Sequence, residues 1–412
     1  MSSKQKHHVI IGNCIAAVTA ADTLRLHGPN DKISILSDEE VPAYSRCLIT
    51  YYLAGDVTRK HLLSHSKKWY TDRFIDLHLN TKATQVDTKA RKVKTTTRKS
   101  FSYDKLLVAT GARPIFFPAI PYDPNGIIGM RTYHDSSTLL KWSAPGKKAL
   151  VVGAGFVGLK SAYGLIKRGV KVRVVELLPT VLGRMADGEA SRRIVKKFDN
   201  HELVDVTLNA SVLKAEFDGK HYRAHLSTGE ELVVDFIVMS VGVRPNVEML
   251  DNTDVEINRA IITDTTQQTT NPDIFAAGDV CLSPELISGQ MINNAIWPVA
   301  AAQGRVAAMN MLGLKGQYTG NIVQNSVDFF GQWITALGDV QASGKGVDYK
   351  MYATEKVYQK LVFRNGIITG FMATGNVDYA GVIQALIKEK ATWEQMLGNK
   401  YVRLIPVVSA HA

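Results

Sequence analysis

The stretch Leu150-Val-Val-Gly153-Ala-Gly155-Phe156-Val157-Gly158, with the helix pattern LKSAYGLIKRG after it and then Val172-Arg-Val-Val-Glu176, decides the fold. An apolar β-run, a glycine turn, an amphipathic helix and a second β-run follow one another, and the turn is a complete G-x-G-x-x-G. Each glycine has a physical task. Gly153 makes the tight turn, Gly155 lets the backbone approach a pyrophosphate, and Gly158 lets the helix lie close on the strand. The helix N-terminus then faces the phosphates, and Phe156 and Val157 stand on its first turn. Glu176, at the end of the second strand, accepts a hydrogen bond from a ribose 2′-OH and repels a 2′-phosphate. That favours NAD(H) over NADP(H), with Arg173 and Arg184 nearby in sequence as the opposing signal.

Moving toward the N-terminus, the same pattern occurs once more in Val9-Ile-Ile-Gly12-Asn13-Cys14-Ile-Ala-Ala17 and the run VTAADTLRLHG. Here Cys14 replaces the second glycine and puts a side chain where backbone should meet phosphate, whereas Ala17 is an accepted third residue. Lys32-Ile-Ser-Ile-Leu-Ser37-Asp38 is the expected second strand, with Ser37 or Asp38 where an acidic ribose ligand usually sits.

Three further stretches complete the set: Leu106-Leu-Val-Ala-Thr110-Gly111-Ala-Arg113-Pro114, Ile237-Val-Met-Ser-Val-Gly242-Val-Arg244-Pro245 and Asn271-Pro-Asp-Ile-Phe-Ala-Ala-Gly278-Asp279-Val280. In this order and spacing the five segments resemble the two-dinucleotide-binding flavoproteins of the pyridine nucleotide–disulfide oxidoreductase superfamily. The resemblance covers all but the C-terminal segment from about Tyr318. It implies an α/β fold of two Rossmann-like dinucleotide-binding domains plus a small α/β C-terminal domain. The FAD domain (1–118 and 246–317) is interrupted by an NAD(H) domain (119–245), and 318–412 forms an interface or dimerisation domain. FAD would be bound by Gly12, Asn13, Cys14, Ala17, Ser37, Asp38, Thr110, Gly111, Arg113, Gly278 and Asp279, with Trp297 and Pro298 opening the helix that runs up to the flavin. NAD(H) would be bound by Gly153, Gly155, Phe156, Val157, Gly158, Glu176 and Gly242.

Within the superfamily, Val41-Pro-Ala-Tyr44-Ser-Arg46-Cys47-Leu-Ile-Thr-Tyr51-Tyr52 looks like the Tyr-x-Arg-Pro-x-Leu segment of NADH-dependent rubredoxin and ferredoxin reductases and of nitrite reductase flavin domains. The resemblance assigns Arg46 to FAD contact and leaves Cys47 at the proline position. A second alignment places Cys47 where NADH peroxidases, NADH oxidases and coenzyme A disulfide reductases carry a redox-active thiol beside the flavin, and such a thiolate is activated by low pKa. At another point the family pairs a lysine beside the flavin with a glutamate on the second glycine helix, and here those positions read Tyr51 and Lys160. Lys160 is therefore a candidate source of the cation that favours reduced flavin.

The implied activity is electron transfer between NAD(H) and an acidic iron–sulfur protein of ferredoxin or rubredoxin type, in one form the ferredoxin-like subunit of a carbon monoxide dehydrogenase system. A thiol-based NADH oxidase, peroxidase or CoA-disulfide reductase using Cys47 is the enzymatic alternative, and a flavin-bound redox sensor or scaffold the non-enzymatic one. The C-terminal segment carries either a homodimer contact or the docking surface.

Composition sets the outer bounds. With 412 residues, 45% hydrophobic and 21% charged, the chain is of ordinary globular composition and holds several domains. Its three cysteines, Cys14, Cys47 and Cys281, are at least 33 positions apart, so they form neither a redox dithiol motif nor an iron–sulfur or zinc site. No metal site is expected: His61 with His65, and His221 with His225, lack a third ligand nearby. The basic run Arg91 to Lys99 alternates like a solvated hairpin and lacks the interleaved aromatics of a nucleic-acid site. No stretch reaches membrane-span length, so a soluble, cytoplasmic protein is expected. The net charge of +11 points to anionic ligands or an acidic partner.

Overall fold

Strand His7–Ile11, whose Val9, Ile10 and Ile11 are all buried, is bonded in parallel on both sides, to Lys32–Leu36 and to Lys105–Val108. Strands buried on both faces read as continuous apolar runs, which is why this segment carries no polar alternation. In the computed structural model, which describes residues 5–400, 402 and 405–409, the chain forms two units. One holds the residues up to Ile49, Val57–Arg113 and Val243–Asn321; the other holds Thr50–Asp56, Pro114–Gly242 and the residues from Ile322 onward. The helices that matter for the site are α1 (Ile15–His27), α2 (Ile49–Ala54), α3 (Phe156–Ile166), α4 (Gly188–Asp199) and α5 (Trp297–Met311).

The first unit is built on a parallel sheet in the order Ile274–Ala276, Lys105–Val108, His7–Ile11, Lys32–Leu36, Ile75–His78. Helices α1 and α5 cover one face of it through small residues, with Ala16, Ala20, Ala307, Ala308 and Met311 in one buried cluster. Gly304 explains how α5 comes so close: a Cβ there would lie 2.2 Å from the Ala16 carbonyl oxygen. A three-stranded antiparallel ribbon (Ala83–Asp87, Lys92–Thr95, Ser100–Ser102) carries the basic run, with Val93 and Thr95 buried and Lys92 and Lys94 exposed.

The second unit repeats the first sheet's plan. Its parallel strands run Val204–Thr207, Lys171–Val175, Lys148–Val152, Phe236–Met239, Ile127–Gly129. A five-stranded antiparallel sheet follows, in the order Gln324–Phe329, Gln332–Gly338, Ile367–Thr374, Tyr358–Arg364, Val347–Ala353. This C-terminal sheet packs on α3 and α4. Phe198 meets Phe329 at a tilt and Phe330 edge to face, Tyr163 meets Phe330 at a tilt, Tyr358 donates to Asp187 Oδ2 at 2.6 Å, and Arg193 donates to the Thr354 carbonyl at 2.6 Å. Short α2 lies on α3 where Gly164 leaves room for Leu53, and Arg168 Nε donates to the Leu53 carbonyl at 2.6 Å. Among the described residues no helix is long and apolar enough to cross a membrane.

Candidate functional site

In each parallel sheet the central strand, His7–Ile11 or Lys148–Val152, has neighbours that leave in opposite directions, and ligands of open α/β sheets bind at the carboxyl ends of strands at such a switch point. In the first unit that end is Gly12-Asn13-Cys14. Gly12 sits at φ +110°, and a Cβ would lie 2.1 Å from the Ala109 carbonyl oxygen, so no other residue fits. Cys14 is the N-cap of α1 but makes no side-chain cap, and the first turn holds no acidic residue. The helix therefore offers uncapped amides and the positive end of its dipole. Asn13 Oδ1 accepts from the Tyr70 hydroxyl at 2.8 Å, while its Nδ2 is buried with no hydrogen-bond partner. A buried donor left open at the phosphate-facing turn is what a dinucleotide would satisfy.

Around this turn, Ser37 is buried and Asp38 exposed, and it is Glu39 that holds a network: it accepts from Arg46 Nη2 at 2.6 Å and from the Tyr44 hydroxyl at 2.8 Å. Arg46 lies over the Tyr44 ring and also faces the Cys14 thiol, so the side chain at the second glycine position turns toward a guanidinium. Glu39 was not among the residues expected from sequence. Its signal was the acidic run Asp38-Glu39-Glu40 just past the strand, in which the register is ambiguous by one position. Thr110 and Gly111 are tied to Asn246, whose side chain returns a bond to the Thr110 carbonyl, and Arg113 Nη1 donates to Asn246 Oδ1 at 2.8 Å. This closes the place where the chain leaves the first unit and returns to it. Gly278 N donates to Gln303 Oε1 at 2.7 Å, Asp279 is half-buried beside it, and α5 begins with half-buried Trp297 and exposed Pro298, again without a side-chain cap or an acidic first turn.

The second unit presents the complete version. Gly153, at φ +99°, is backed by the Ser240 carbonyl, and a Cβ on Gly158 would lie 1.9 Å from the Gly153 oxygen. A Cβ on Gly155 would meet nothing within 4 Å, so the space over the α3 N-terminus is open to a ligand. Phe156 and Val157 are exposed on that first turn, and Ser240 Oγ is buried without a partner, two residues before Gly242. Glu176 accepts from Ala154 N at 2.6 Å and from Leu178 N at 2.9 Å, which fixes its carboxylate beside the glycine turn. Arg173 is committed to Asp205, Glu230 and Thr207, so it does not compete for the ribose end.

The family model described as pyridine nucleotide-disulphide oxidoreductase matches residues 6–304, most of the chain and both glycine turns. This chain belongs to that family. Its members work with FAD and NAD(H), and the open donors and the open space at the two turns fit such ligands. Among curated relatives, an assimilatory nitrate reductase electron transfer subunit from Bacillus subtilis is 28% identical over 394 residues, 94% of this chain and 50% of the relative. An NADH oxidase from Methanocaldococcus jannaschii is 32% identical over 348 residues, 82% of this chain and 75% of the relative. The chain thus spans half the length of the first and three quarters of the second. A solved covalent putidaredoxin reductase–putidaredoxin complex shares the fold, with TM-score 0.87 at 20% identity over 99% of both chains.

None of the three cysteines of the family member is in a disulfide: Cys14 is half-buried, Cys47 exposed and Cys281 buried. Burial pushes the Cys281 thiol up to about 12, which leaves it inert at neutral pH. Among the described residues no cluster of three or more metal-ligating side chains is found.

Proposed function

We propose that this chain is an FAD-dependent oxidoreductase that moves electrons between NAD(H) and an acidic iron–sulfur protein of ferredoxin or rubredoxin type. The observation that carries the reading is the doubled cradle: two switch points, each with a tight glycine turn, an uncapped helix N-terminus and a buried polar atom awaiting a partner. FAD would lie along Gly12 to Cys14, Glu39 with Arg46, Gly278 with Asp279 and the start of α5. NAD(H) would lie along Gly153 to Gly158 with its ribose at Glu176. When bound, FAD would supply the chemistry that links two-electron hydride exchange with NAD(H) to one-electron transfer. The chain's own residues bind, orient and exclude water: α1, α3 and α5 direct amides at phosphate and at the electron-rich side of the ring, and Glu176 holds one ribose by its hydroxyls.

Two things support the partner class. One relative carries the name of an electron transfer subunit, and the chain's charge of +11 suits an acidic protein. The test is anaerobic mixing with NADH and with NADPH, followed by an acceptor panel of ferredoxin, rubredoxin, oxygen, peroxide and CoA disulfide. Bleaching of a yellow chromophore by NADH and rapid reoxidation by ferredoxin or rubredoxin are expected. Reoxidation by oxygen, peroxide or CoA disulfide alone would sink the electron-transfer reading.

A second reading has its own observation: Cys47 is exposed and adjacent to Arg46, and one relative is an NADH oxidase. Cys47→Ser separates the two. Transfer from NADH to ferredoxin survives this substitution if the first reading holds, and loss of all NADH-driven turnover supports a thiol-based reaction.

A further inference from the structure

Within the second unit, residues 177–186 run from Glu176, just past strand Lys171–Val175, to Asp187, the N-cap of α4. They form a strap in which Val181, Leu182, Met185 and Ala186 are buried although no strand or helix holds them. Strap and glycine turn grip each other at one residue. Ala154 N donates to Glu176 Oε2 at 2.6 Å, and Leu182 N donates to the Ala154 carbonyl at 2.9 Å. A trans peptide points its C=O and its N–H in opposite directions, so a carbonyl of Ala154 held toward Leu182 turns the Gly155 N–H, on the same plane, away from the strap. The preceding plane is fixed likewise: its N–H goes to Glu176, and its carbonyl, that of Gly153, faces Gly158.

Leu182 makes its bond from an unusual backbone. Its φ is +55°, a left-handed conformation that a bulky residue keeps only where its surroundings hold it. Part of the hold is local. Met185 N and Ala186 N donate to the Leu182 carbonyl at 2.8 and 2.9 Å, and Val181 N donates to Ser191 Oγ at 2.9 Å. The rest comes from the C-terminal sheet of the same unit. Gln341, just beyond strand Gln332–Gly338, directs its amide Nε2 at two strap carbonyls, Ala186 at 2.8 Å and Gly183 at 3.2 Å. At the strap's far end Asp187 is fixed on three sides. Its Oδ1 accepts from Ala190 N at 3.0 Å, and its Oδ2 from the Tyr358 hydroxyl at 2.6 Å and from Lys360 Nζ at 3.5 Å.

We propose that Gln341 and Tyr358 are positioning residues for NAD(H). They lock the strap, the strap keeps Leu182 in its left-handed conformation, and Leu182 aims the Gly155 amide at the pyrophosphate of the dinucleotide. The inference rests on the NAD(H) site proposed above and deepens it, because it gives the C-terminal sheet a part in nucleotide affinity. Neither side chain touches the nucleotide. Each acts through the orientation of one peptide plane, and a plane that is free to turn loses a hydrogen bond to phosphate and some of its preorganisation.

The experiment uses the full chain loaded with FAD, as wild type, Gln341→Glu, Gln341→Arg and Tyr358→Phe. Binding of NAD+ is measured by calorimetry, and NADH turnover with ferricyanide gives KM and kcat. Gln341→Glu keeps the size of the side chain but sets an acceptor against two carbonyls, so the Kd for NAD+ and the KM for NADH should rise about three- to tenfold. Tyr358→Phe removes a bond to a carboxylate, and a rise of about tenfold is expected. In both, kcat at saturating NADH should stay within about twofold of wild type, since affinity and not the chemical step is altered. Gln341→Arg, which again offers donors to the carbonyls, should restore the wild-type Kd. A thermal midpoint that falls while Kd and KM stay at wild-type values would show a merely structural role and overturn the inference. So would a loss in Gln341→Glu that Gln341→Arg does not restore. Gln341 is exposed, so its variants decide the matter even if Tyr358→Phe does not fold. A wild-type protein that binds neither NAD+ nor NADH overturns the nucleotide reading itself, and the inference with it.

Discussion

Glu176 has its carboxylate pinned beside the glycine turn by Ala154 N and Leu178 N, and in the proposed NAD(H) site its remaining lone pairs would accept from the ribose hydroxyls. Charge-assisted hydrogen bonds contribute about 1.5–3 kcal/mol each, so Glu176→Ala should weaken NADH binding by roughly ten- to a hundredfold. NADPH, which the carboxylate repels, should lose far less, and the ratio of the two dissociation constants should collapse toward one in a fluorescence titration. A ratio that stays unchanged would show that selectivity resides elsewhere. At Lys160, only 2% exposed, the same kind of reasoning gives a stability prediction that needs no cofactor. The folded-state amine titrates near 8 and the unfolded one near 10.5, so between those values the unfolded chain binds the extra proton and stability rises with pH. Relative to Lys160→Met, wild type should gain on the order of 3 kcal/mol between pH 7.5 and pH 10.5. Urea unfolding of the pair at both pH values measures this directly, and a constant difference would mean the amine is not held in a low-dielectric box.

Helix α3 is where local chemistry and packing meet most tightly. A methyl group on Gly158 would lie 1.9 Å from the Gly153 oxygen, so Gly158→Ala must push the helix off its own turn. Overpacking of this kind costs about 1–3 kcal/mol. The expected result is loss of NADH binding in a protein that still folds and retains FAD, measured by the flavin spectrum and nucleotide titration. Concurrent loss of FAD would imply that the two cradles are not independent. This element was fully legible in the sequence because each glycine answers a contact within a few residues of itself. The first cradle was only half legible. Cys14 looks like a defect in the linear pattern, yet its thiol faces Arg46, and the close approach of α5 to α1 rests on Gly304, nearly three hundred residues away in sequence. Lys160 shows the same limit: its identity and helix position were readable, whereas Tyr51 and Phe329, whose rings face its ammonium, and Asp328, whose carbonyl accepts from it, come from segments that only the tertiary fold assembles. Strand Val347–Ala353 is hard to read from the sequence for a simpler reason. An edge strand with exposed and half-buried residues along its whole length has too little apolar alternation to stand out.

Charge belongs to the molecule as a whole, and the excess of +11 remains after many local pairs have cancelled one another. Arg46 is matched by Glu39, Arg173 by Asp205 and Glu230, Lys105 by Asp273 and Arg193 by Glu189, so these cations hold the fold and contribute little at long range. What remains acts on a partner before contact, and such steering is screened once the Debye length falls to about 10 Å at 0.1 M salt. Dinucleotide binding, by contrast, depends on amides and a carboxylate inside hydrogen-bond distance. Raising salt from about 0.02 M to about 0.3 M should therefore lower kcat/KM for an acidic ferredoxin by tenfold or more, mostly through the association rate. Over the same range kcat/KM for a neutral quinone, assayed at saturating NADH, should change less than about twofold. If both acceptors fall together, salt is acting on flavin reduction and the acidic-partner reading loses its electrostatic basis. If neither falls, the positive excess does not face the electron-exit surface, and the partner must be sought among neutral or basic proteins.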